Sequence, residues 1–201
     1  MEVTYRSFEL DPTMGRDINH NIYEGLAKKY GMSIDQAKAN TQNMVRMAKE
    51  AGLDYQMDTL ILTNTFDAHR LTMLAKRKGL MHEMTERILH AYFTESKHIG
   101  DHETLTELAV EVGLDREEVE KMLASDDMAN FVRADQQLAQ QYGIRSVPFF
   151  LINKKYAITG AQPTEAFVQA LEKVIAEDNI VVLNNQEGMV CDDDGCEIPK
   201  K

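Results

Sequence analysis

Tryptophan is absent from this 201-residue chain, and cysteine occurs only twice, at Cys191 and Cys196. Two cysteines so close together exclude a disulfide framework as the source of stability. No apolar run approaches the roughly 20 residues of a membrane-spanning helix. The opening MEVTYRSFEL shows no basic-then-apolar signal pattern, so a cytoplasmic location is expected. Basic residues are in deficit: 22 Lys and Arg face 33 Asp and Glu, a formal charge of -11. That balance argues against nucleic acid or an anionic membrane as partner. There is no Gly-rich phosphate loop, no Ser-His-Asp order and no paired catalytic carboxylate. Neither a solenoid period nor a low-complexity linker occurs.

What is present suits a globular domain. Hydrophobic residues make up 43% and charged residues 27%, enough for a real core. Twelve methionines and no tryptophan point to a core filled by flexible apolar side chains. Glu2 to Leu10 alternates and is rich in Val, Thr, Tyr and Phe, which predicts a strand ended by Asp11-Pro12. A long helical block comes next. Asn21 to Gly31 predicts a short helix, and Ser33-Ile34-Asp35-Gln36 reads as a capping box opening a second that stops at Gly52. Thr59-Leu60-Ile61-Leu62 fits a strand or a buried turn. Further helices are predicted from Asn64 or Thr65, over Met81 to Ser96, from Asp101 to Gly113, after Asp115, and from about Asp127 to Tyr142.

The rest of the chain is organised around the stretch from Gly143 to Gln162, GIRSVPFFLINKKYAITGAQ. Phe149-Phe150-Leu151-Ile152 and Tyr156 to Thr159 read as two strands joined at Asn153-Lys154-Lys155. Pro148 stands at the start of the first strand, where its missing N–H harms the ladder least. A helix from Thr164 to Ala176 closes the pattern. Ile180-Val181-Val182-Leu183 suits a short strand or a packed tail, with a turn at Asn184 to Gly188.

Ser146-Val147-Pro148-Phe149-Phe150 followed by Thr159-Gly160-Ala161-Gln162 resembles the cis-proline loop and last hairpin of DsbA-like thioredoxin-fold oxidoreductases, with the cytoplasmic FrnE-like branch the nearest match. Asn64-Thr65-Phe66-Asp67-Ala68-His69-Arg70 resembles that family's first insertion helix, a motif shared with kappa-class glutathione transferases and hydroxychromene-carboxylate isomerases. Tyr92-Phe93 to Asp101 resembles the segment before its next helix. The resemblance implies an α/β, thioredoxin-like (DsbA-type) sheet with a large all-helical insertion. Residues 1–15 and 143–183 would form the core, 16–142 the insertion with its connecting helix, and 184–201 a tail with Cys-x4-Cys.

The family's opening strand, Cys-Pro-x-Cys motif and helix have no counterpart here, since no cysteine precedes Cys191. The resemblance places that first strand between Glu2–Leu10 and Phe149–Ile152. Its loss would leave unpaired backbone groups, each costing about 1–3 kcal/mol when buried. The sum would rival the roughly 5–15 kcal/mol stability of a domain. Met1 as a late start within a longer reading frame is the favoured expectation. The alternative is a second chain, as in a homodimer, supplying the pairing.

Cys191 and Cys196 are the redox candidates. Gly195 allows a tight turn, so a disulfide between them is sterically allowed. Closing so small a loop stabilises little, which favours a redox role over a structural one. FrnE-like proteins resemble this chain in carrying a second, C-terminal Cys-x4-Cys pair. Three neighbouring aspartates disfavour a thiolate and make these slow nucleophiles. The competing reading is a reduced, idle pair in a tail. No metal site is expected, because a structural zinc needs four N or S ligands and the six histidines show no ligand spacing.

The resemblance implies that Val147 and Pro148 hold a substrate backbone, and that Asn64 and His69, with Arg70, line a ligand cleft. For these last three the competing reading is a capped helix with a solvated polar face. The function implied is thiol–disulfide exchange on protein thiols or small thiols, without a cofactor, glutathione serving at most as a thiol substrate. Lacking the N-terminal Cys-x-x-Cys, such activity would be low or absent. Two alternatives stand beside it: a glutathione-dependent isomerase or transferase of the kappa-like branch, and a non-catalytic thioredoxin-fold binding module.

Overall fold

The computed structural model describes residues 2–178, with the backbone of 190–192 and 195–197. Seven helices occupy the first compact unit, Met1–Arg145, and a β-hairpin and helix open the second, Ser146–Lys201. No helix among the described residues is long and apolar enough to cross a membrane.

In the first unit, α1 (Ile22–Tyr30) and α2 (Ile34–Glu50) pack as a helical hairpin. Both begin with a complete capping box. Asn21 pairs with Glu24, and Ser33 with Gln36, so each first turn has its free N–H groups met by side chains. The buried face of α2 is Ala37, Thr41 and Ala48, while Met44 and Met47 are exposed. Small residues at spacings of four and seven bring the two helices close, and the methionines fall to the side of that stripe.

The main core lies among α3 (Phe66–Arg77), α4 (Met81–Phe93), α5 (His102–Val112), α6 (Arg116–Leu123) and α7 (Ala129–Gln141). Leu71, Leu74, Met84, Leu105, Leu108 and Val132 are fully or almost fully buried there. Asp101 and Asp115 cap α5 and α6 by accepting the N–H groups of Thr104 and Glu118. A smaller cluster, Met57, Leu60 and Leu62, packs with Tyr55 and Phe93, whose rings stack at 4.6 Å. Residues 57–59 form a turn and Leu60 to Leu62 carry no ladder, so the stretch is neither a strand nor a buried turn: Leu60 and Leu62 are buried, while Thr59 and Ile61 are exposed.

The strand expected over Glu2–Leu10 makes no ladder among the described residues. Its alternation survives as burial only over residues 6–10: Ser7 and Glu9 are buried while Arg6 and Leu10 are exposed, and Val3 and Tyr5, on the same phase as Ser7, are exposed. The inward positions hold polar groups, and side-chain bonds to α7 take the place of main-chain pairing. Arg6 Nη1 donates to Asp135 Oδ1 at 2.8 Å, and the Ser7 N–H donates to Asp135 Oδ2 at 2.9 Å. Arg133 Nη1 and Gln136 Nε2 donate to Glu9 Oε2 at 3.0 and 2.5 Å.

In the second unit β1 (Phe149–Ile152) and β2 (Tyr156–Thr159) pair antiparallel, with Phe149 opposite Thr159 and Ile152 opposite Tyr156. Asn153 and Lys154 take positive φ values of 49° and 56° at the turn, and the Lys155 N–H donates to Ile152 O at 3.0 Å. Helix α8 (Thr164–Asp178) comes after the hairpin, and Phe167 meets Phe150 edge to face with centroids 4.8 Å apart. A second antiparallel pair joins β3 (Val190–Asp192) to β4 (Gly195–Glu197). Ile180 to Leu183 and the turn at Asn184 to Gly188 lie outside the described residues.

Candidate functional site

The Val147–Pro148 peptide bond is cis. Proline at this position enters β1 without needing a donor, and its carbonyl is used: the Gly160 N–H donates to Pro148 O at 2.9 Å. Gly160 has φ +74°, a left-handed conformation that glycine adopts without a Cβ penalty. Gln162 Nε2 closes the far side on Thr159 O at 2.9 Å. The hairpin is thereby tied to its entry turn. Val147, just ahead of it, is 44% exposed, and its peptide groups make no backbone hydrogen bond among the described residues. An exposed peptide group with free donor and acceptor is what strand-like capture of an extended chain requires.

The register of β3 and β4 sets Cys191 directly opposite Cys196. Directly opposed residues of an antiparallel pair have Cα atoms about 4.5–5.5 Å apart. A disulfide spans Cα separations of roughly 4.4–6.8 Å. The backbone register therefore falls within the Cα separation that a disulfide spans.

Asn64 and His69 stand at the start of α3. Asn64 Oδ1 accepts the Phe66 N–H at 2.8 Å, and its Nδ2 donates to Met14 O at 3.0 Å. It caps the helix from one residue before Thr65, whose own side chain makes no cap bond. His69 is half-buried and hydrogen-bonded to the Phe8 backbone. Burial holds its pKa below the ordinary imidazole value, against the opposing pull of Glu9, the Phe8 bond and Asp135. Arg70 is buried, and its guanidinium joins Asp67 at 2.7 Å to the carbonyls of Met122, Ser125 and Asp127. Asp67 also meets His102 Nε2 at 2.7 Å. Arg70 thus closes the α6–α7 connection over α3.

Two residues that sequence patterning passes over are Glu9 and Asp135, whose side chains are only 2% and 4% exposed. Asp135 sits with Val132 and Ala139 on the buried face of α7, at the i+3 position of an apolar stripe. Glu9 occupies an inward position of an alternating segment. For Asp135 a carboxylate on an otherwise apolar stripe was the available signal; Glu9 shares its phase with the polar Ser7 and carries no such mark. Among the described residues no group of three or more His, Cys, Asp and Glu side chains could hold a metal ion.

Residues 1–172 match the DSBA-like thioredoxin domain family. The chain belongs to this family. Its fold is the DsbA-like thioredoxin type with a helical insertion, and this DSBA-like chain is similar along 99% of its length to a solved structure described as a probable DsbA oxidoreductase from Streptomyces coelicolor. The TM-score is 0.85 at 39% identity, over 85% of that chain. The cytosolic disulfide reductase DsbM from Pseudomonas aeruginosa, solved with GSH, shares the fold at TM-score 0.51 and 18% identity, over 64% of this DSBA-like chain and 73% of DsbM. YwbO of Bacillus subtilis is 34% identical over 98 residues, 48% of each protein. The match thus spans about half the length of that curated relative.

Proposed function

We propose that this DSBA-like chain is a cytoplasmic thiol–disulfide oxidoreductase of the FrnE type, with Cys191 and Cys196 as its redox pair. The observation that supports this most directly is the register that sets the two cysteines opposite one another. One thiolate attacks a substrate disulfide, forming a mixed disulfide and releasing one substrate thiol. The second cysteine then attacks that bond, leaving Cys191–Cys196 oxidised and the substrate a dithiol. A low-molecular-weight thiol such as glutathione, itself oxidised to its disulfide, returns the pair to the reduced state. The DsbM structure with GSH supports that class of co-substrate. The free peptide group of Val147 supports docking of an extended substrate chain ahead of the hairpin.

Iodoacetamide labelling tests the pair. The reduced protein should take two labels per chain, and mild oxidation should remove both, with Cys191→Ser and Cys196→Ser each abolishing insulin reduction. Labelling that oxidation leaves unchanged, or insulin reduction retained in both variants, would remove the redox assignment.

A further inference from the structure

A cleft of about 280 Å³ opens in the helical unit between the Arg6 segment and the facing surfaces of α3 and α7. Arg6, Lys76 and Arg77 line it, beside Met73, Met128 and Phe131. The single carboxylate in the lining, Asp135, is already bonded to Arg6 and the Ser7 N–H. Lys76 has no ion pair among the described residues. Arg77 lies 3.9 Å from Glu118, whose other oxygen is held by Lys78 at 2.7 Å. Two cations with weak or no neutralisation therefore share one depression on a molecule whose formal charge is -11.

Basic residues in the last turn of α3 suit the helix dipole, and that alone would account for their sign. It does not account for the surface between them. Met73 and Met128 are buried beneath the cleft, and Phe131 is 56% exposed beside it. An aromatic ring left in water next to cations that are weakly paired or unpaired among the described residues suits a ligand with an anionic head and an apolar body. Methionine accommodates such bodies without a fixed shape. The volume lies just below the roughly 300–1,000 Å³ usual for small-molecule sites. That favours a compact organic acid over a protein segment, which would need an elongated groove.

We propose that this cleft binds a free medium-chain carboxylate, its head between Lys76 and Arg77 and its chain against Met73, Met128 and Phe131. Glutathione matches the cations but not the apolar floor, and binding in this cleft is measured without reference to the cysteine chemistry.

Calorimetric titration of the full chain with decanoate, below its micellar range, tests the proposal. Acetate, decanol and a Glu/Asp-rich peptide serve as comparators. One saturable site for decanoate is expected, with acetate and decanol each at least roughly tenfold weaker. Lys76→Ala/Arg77→Ala should weaken decanoate by about tenfold or more through loss of charge-assisted contacts. Phe131→Ser should weaken decanoate and leave acetate unchanged. Both alterations fall on exposed side chains, and an unchanged melting temperature without ligand confirms that the fold is intact. No saturable decanoate binding, equal binding of decanol, equal binding of acetate, unaltered affinity in both variants, or tighter binding of the acidic peptide would each overturn it.

Discussion

Single residues in this chain are held by contacts whose tolerance can be measured. Gly100 is the sharpest case. A Cβ built there would lie 2.0 Å from Thr63 Oγ1 and 3.2 Å from Thr63 Cβ. Thr63 is itself buried, and its hydroxyl donates to Arg16 O at 2.8 Å, so it has little room to turn away. Glycine is needed here for close approach and not for a left-handed backbone. Gly100→Ala should cost about 1–3 kcal/mol, the range for overpacking a filled site. The same substitution made in a Thr63→Ala background should cost less, because the clashing oxygen is gone. A urea double-mutant cycle reads the difference directly. Equal costs in both backgrounds would show that the contact does not limit the site.

At the scale of helices, the caps were legible in the chain because their chemistry is local. Asn21, Ser33, Asp101 and Asp115 each stand where a side-chain acceptor meets a free N–H three residues on, and each caps a helix. The carboxyl of Asp101 is held below its usual range, chiefly by the Thr104 N–H it accepts. A depressed carboxyl contributes stability that is present above the unfolded value of about 4 and is lost as pH falls through the folded one. Asp101→Ala should therefore cost roughly 1 kcal/mol at pH 7, and the gap from the parent should narrow below about pH 4. Urea midpoints at pH 7 and pH 3 measure both; a gap of constant size would mean that the charge of the carboxylate plays no part. Less local features were harder to see. Alternation over Glu2–Leu10 marked the phase of Ser7 and Glu9, but not that Val3 and Tyr5 on that phase are exposed, nor that the partners of Ser7 and Glu9 are side chains of α7 more than 120 positions away. The role of Arg70 was hidden for the same reason, because the three carbonyls it gathers come from the end of α6 (Met122) and from the turn before α7 (Ser125 and Asp127), which periodicity does not reach.

The molecule as a whole divides at Arg145, and the division has an energetic consequence. The main hydrophobic core is made by side chains from α3 through α7, so residues 1–145 hold the means of their own stability. Leu108 is fully buried within that core. Its truncation to alanine removes apolar contact and leaves a cavity, a loss of about 2–5 kcal/mol. That is a large share of the roughly 5–15 kcal/mol typical of a domain. If the helical unit folds independently, the cost should be the same whether or not the hairpin unit is attached. Leu108→Ala should thus lower stability equally in the full chain and in a 1–145 fragment, to within about 0.5 kcal/mol. Chemical unfolding monitored by far-ultraviolet circular dichroism measures both. A fragment without a cooperative transition, or a penalty differing well beyond that margin, would mean that the helical unit depends on the hairpin unit for its stability.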